Sequence, residues 1–132
     1  MRTRSGRLVV LSALLALGCH GKDEARTLVT AVDAYRAASN DAKPARADAL
    51  DKVECTDTDV CAVKAACTKS ADATARGLRL QQEVQAAAKD GGGDPNALED
   101  KWKRASSDLA EGYGLLEECR TKTQALHEHY GI

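Results

Sequence analysis

Apolar residues recur along this chain at steps of three and four, and the recurrence divides it into four stretches. In the first, Ala25, Leu28, Val29, Val32 and Tyr35 share one helical face, with Arg26, Asp33 and Arg36 off it. A helix is predicted from Asp23 and Glu24, whose carboxylates suit the positive end of a helix dipole, to about Ala38. Ser39, Asn40 and Asp41 signal a turn. Pro44 fits a first helical turn, and Ala47, Leu50 and Val53 carry a short second helix to about Glu54. Thr56 and Asp59 match the S/T-x-x-D/E capping pattern and predict the start of a third helix. This helix continues through Val60, Val63, Cys67, Ala71, Leu78 and Val84 to about Lys89, roughly 30 residues or 45 Å. Gly91, Gly92 and Gly93 break it, Asp94 is a good N-cap, and Pro95 suits the first position of a fourth helix.

The fourth stretch has the clearest period. Leu98, Trp102, Ala105, Leu109, Gly112, Leu116, Cys119, Thr123, Leu126 and Tyr130 alternate in steps of four and three, an a/d seam over four heptads. Trp102 on that seam reads as a core residue. Gly112 and Gly114 each cost about 1 kcal/mol relative to Ala inside a helix, so they mark a close crossing or a kink. Ala is the commonest residue, Phe is absent, and one Trp and three Tyr are the only aromatics. Such a composition favours helices over strands. The expected fold is all-α: an antiparallel bundle of about four helices, two short and two long.

Ahead of these helices Arg2, Arg4 and Arg7 precede an apolar run from Leu8 to Leu17. The run is too short to span about 30 Å of hydrocarbon, which needs about 20 residues, and it has the layout of a signal peptide. Its end, Leu15-Ala16-Leu17-Gly18-Cys19, resembles the lipobox of bacterial lipoproteins, with Ala16 where that family usually has Leu. The resemblance covers residues 1–19. It implies cleavage before Cys19, diacylation of its sulfur, and attachment of the mature chain to a membrane through that lipid. His20 at the second mature position resembles an outer-membrane address, since Asp there is the inner-membrane retention signal of the enterobacterial rule. The organisation expected is a leader at 1–18, a lipidated N-terminus and short tether at 19–23, and one helical domain at 24–132.

Removing the leader takes three arginines from the 19 basic residues, leaving 16 against 20 acidic ones, a net of −4. That balance argues against nucleic acid and against an electrostatic grip on anionic lipid. Four cysteines remain after Cys19, and an even number in an exported chain points to two disulfides. Cys67 lies 26 residues before Gly93 and Cys119 lies 26 after it, so an antiparallel hairpin sets them level. Cys67 with Cys119 is the expected pair, leaving Cys55 with Cys61. The rival places Cys61 with Cys119, about two turns up the same helix.

Other chemistry finds little support. Four thiolates at these spacings do not fit a zinc site, no haem motif is present, and no cofactor or metal is expected. His127 and His129 lie two apart, about 200° around a helix, and read as solvated residues of a fraying last turn. Asp48, Asp51, Glu54, Asp57 and Asp59 form an acidic patch that helix starts and a solvated face largely explain. No Ser-His-Asp pattern or phosphate loop is visible, and no enzymatic activity is expected. The expected function is that of a membrane-anchored cell-envelope lipoprotein with a structural or protein-interaction role, with an envelope protein or a second copy as partner. The alternative is a ligand- or ion-binding periplasmic module.

Overall fold

A computed structural model of the chain describes the backbone of residues 13–132 and the side chains from His20 onward. The signal peptide and lipobox readings, with the Cys19 side chain, therefore fall largely outside the described residues. Four helices follow one another: α1 (Ala13–Ala37), α2 (Lys43–Asp51), α3 (Thr58–Lys89) and α4 (Pro95–Tyr130). Among the described residues there is no strand, and no helix is long and apolar enough to cross a membrane. The expected all-α, disulfide-braced bundle is what the chain forms.

The long elements are α3 and α4, which fold into an antiparallel hairpin about the glycine turn. Asp94 caps α4 by accepting from the Asn96 amide at 3.2 Å, and Gly131 closes it in the left-handed conformation. Against the lower half of this hairpin lies α1, with Leu28 and Val32 fully buried beside Leu50, Val60 and Cys67. α2 packs on α1 and α3 but not on α4. Arg79 binds Asp48 at 3.0 Å and Gln82 reaches Asp41 at 3.5 Å, so α2 runs antiparallel to α3.

Small residues let the hairpin close. A Cβ added to Gly112 would lie 2.9 Å from the Thr74 amide nitrogen and 3.1 Å from the Ser70 carbonyl, and the Ser70 hydroxyl donates to the Gly112 carbonyl at 2.8 Å. Gly112 thus marks a close crossing. Gly114 faces open space, whereas Gly77, which the periodicity did not single out, meets Leu109 and the Ala105 carbonyl.

Both expected disulfides are present. Cys67 and Cys119 join the long helices across 4.6 Å between Cα atoms, and Cys55 and Cys61 close the loop before α3 across 5.4 Å. The rival Cys61–Cys119 pairing does not occur.

Three expectations are corrected. α1 is already helical at Ala13, the first described residue, and runs on through Gly18 and Gly21 into the Asp23 turn. Residues 19–23 are accordingly helical, and Gly21 is buried against Asp57 and Tyr130. The cap of α3 is Asp57, which accepts from the Asp59 and Val60 amides at 2.9 and 3.2 Å, while Thr56 turns to Glu24. Trp102 is 47% exposed, because no third helix among the described residues accompanies the hairpin that far from the core.

Candidate functional site

Where α1 ends decides a concave surface of the molecule. The Ser39–Asp41 turn stops the helix at Ala37, and Lys43 secures the stop. Its ammonium donates to the Ala38 carbonyl at 2.7 Å and lies 5.5 Å from the centre of the Tyr35 ring. The chain then turns into α2, which moves away from α4. Among the described residues, the α3–α4 face beyond Tyr35 is left with no helix on it.

That vacancy is a groove of about 600 Å³. Leu78 of α3 and Leu109, Gly112 and Leu116 of α4 line it with apolar surface. Tyr35 borders it from α1, where burial pushes its phenol above the usual value, and the 74% exposed Tyr113 borders it from α4. The charged lining is of one sign: Arg36, Lys43 and Arg120, with no Asp or Glu. Arg120 is held by exposed Glu117 at 2.6 and 3.0 Å, which raises the guanidinium and lowers the carboxyl. Asp33 stands 4.0 Å from Arg36. The Thr74 hydroxyl donates to the Ser70 carbonyl and the Ser70 hydroxyl is committed to Gly112, so neither is free to donate to a ligand.

A second polar assembly ties the opposite end of α1 to the rest. Glu24 accepts from the Thr56 and Asp57 amides at 2.8 and 2.9 Å and from the Thr56 hydroxyl at 2.6 Å. These donors, the Asp57 amide foremost, pull its carboxyl down to about 2. The Tyr130 hydroxyl donates to Asp57 at 2.7 Å, which lowers the carboxyl and pushes the phenol up to about 12. Gly21 is needed beside this pair, since a Cβ there would lie 2.8 Å from the Asp57 carboxylate and 2.9 Å from the Tyr130 oxygen.

The residues singled out from the sequence are dispersed by the fold. Of the acidic patch, Asp57 is spent on capping and Asp48 on Arg79, while Asp51 and Asp48 help raise the half-buried Asp72 carboxyl, whose largest perturbation is burial. His127 is ordered: its Nδ1 lies 2.6 Å from the Ile132 carbonyl. His129 stacks edge-on against Tyr130 at 4.6 Å. No group of three or more His, Cys, Asp or Glu able to hold a metal is found among the described residues. Sequence reading missed the groove. Its only linear trace is the interval from Tyr35 to Lys43, where an apolar face stops and two cations flank a turn. The chain matches no protein-family model, no curated protein and no solved structure.

Proposed function

We propose that this chain is a bacterial cell-envelope lipoprotein, held to a membrane by acyl chains on Cys19. Its helical domain acts there through its surface, in a structural or protein-interaction role, and not as an enzyme. The observation that carries the reading is the cysteine pairing. Cys55–Cys61 and Cys67–Cys119 account for four of the five cysteines, so the one at the lipobox position has no partner within the chain. Disulfides at the base of the core also suit an oxidising compartment outside the cytosol. Gly21, two residues after Cys19, is already packed against the domain. A lipid on Cys19 therefore holds the bundle against the bilayer with no linker between them.

The test is intact mass and a non-reduced peptide map of protein recovered from bacterial membranes. A chain starting at Cys19 and carrying acyl groups, with Cys67 and Cys119 peptides linked, is expected. Cys19→Ala is expected to move the protein out of the membrane fraction. An unacylated chain starting elsewhere overturns the anchor.

A further inference from the structure

The groove beside the end of α1 is not used by the anchoring described above. Its volume, about 600 Å³, falls within the 300–1,000 Å³ of small-molecule sites. The groove is elongated. Its α3 side runs from Ser70 through Thr74 and Leu78 to Gln81, about 16 Å, which an extended alkyl chain of about twelve carbons would span.

Charge narrows the occupant further. Downstream of the leader the chain has a net charge of −4, yet the groove's charged lining is three cations and no carboxylate. The counterions nearby are weakly held. Glu117 and Asp33 have side chains 68% and 64% exposed, and solvent-exposed ion pairs are weak, so an incoming anion exchanges with them at small cost. We propose that the groove binds a single-chain amphiphile with a carboxylate headgroup, a medium- or long-chain fatty acid. The alkyl chain lies along Leu78, Leu109 and Leu116, and the carboxylate meets Arg36, Lys43 or Arg120. The chain's own lipid is not the occupant, since Cys19 and Arg36 are 17 residues apart on one helix, about 25 Å.

The full-length protein, in nanodiscs of phosphatidylcholine, is photolabelled with diazirine-tagged dodecanoate and mapped by peptide. Label is expected on residues 70–81 and 109–120. Excess dodecanoate should compete at least tenfold better than uncharged dodecanol. A double variant, Arg36→Gln with Arg120→Gln, is expected to cut labelling about tenfold at unchanged helicity. The Cys19→Ala chain should label as the native one does, which separates this site from the anchor. Label spread over the distal hairpin, equal competition by dodecanol on the native chain, or a dimer that shields Tyr113 and excludes dodecanoate would overturn the proposal.

Discussion

Glu24 precedes Thr56 by 32 residues, yet accepts two amides and a hydroxyl from the loop that starts α3. Its folded carboxyl, near 2, lies below the ordinary 4.5, so the ionised form is the one the fold favours. The stability it contributes is full above pH 4.5 and is lost as pH falls towards 2. Glu24→Gln is expected to lower the urea midpoint at pH 7 and to flatten its fall below pH 4.5; an unchanged acid slope would assign that fall to the other lowered carboxyls, Asp57 and Glu117. Gly112 is the second sensitive residue. Gly112→Ala pushes a methyl into the Thr74 and Ser70 backbone and should cost about 1–3 kcal/mol. Gly114→Ala, in open space on the same helix, should stabilise by about 0.5–1 kcal/mol, and thermal melts of the two variants should move in opposite directions. Only part of this was legible beforehand. Gly112 and Gly114 look alike in the sequence, because a period says that a position falls on a seam but not how near the partner backbone comes. The cap of α3 was misread at Thr56 because a local motif cannot see a carboxylate arriving from another helix.

Elements were easier to read than contacts. The Gly91–Gly93 break and Asp94 cap fixed the turn between α3 and α4, and level counting from Gly93 then placed Cys67 opposite Cys119. Because this bridge closes a far longer loop than Cys55–Cys61, 52 residues against 6, the loop-entropy account gives it the larger share, about 4 kcal/mol against about 2.2. Replacing Cys67 and Cys119 together by Ala should therefore lower the denaturation midpoint more than replacing Cys55 and Cys61, as measured by urea unfolding. Trp102 shows where element reading fails. It keeps the heptad phase of α4, but phase ensures only that α3 is on that side, and one helix covers too little of an indole to bury it.

On the scale of the whole molecule, the core is confined to the end where α1 and α2 join the hairpin. Among the described residues, the two long helices have only each other beyond Gln82, with Val84 and Leu98 half-buried and Trp102 exposed. Amides of residues 84–104 should exchange with solvent faster than those of 60–75 and 119–126 in native-state hydrogen exchange, whereas uniform protection would mean a partner covers the hairpin tip. The groove was illegible in the sequence for the same reason that the tip was: both depend on where α1 and α2 stop in space. Its lining comes from α1, α2, α3 and α4, and only the end of α1 at Ala37 exposes it.

Both disulfides have one cysteine on α3, joined in one case to the loop before it and in the other to α4; neither reaches α1. The N-terminal helix is fastened by apolar contacts, by Glu24 and by the Arg36 guanidinium on the Cys119 sulfur at 3.7 Å, while the hairpin behind it is locked covalently. Under a pulling force applied between the N-terminal end and the hairpin, the tension passes through that non-covalent seam. α1 is the part that peels away first, leaving the cross-linked hairpin intact, so the domain has a built-in mechanical fuse at its N-terminal helix.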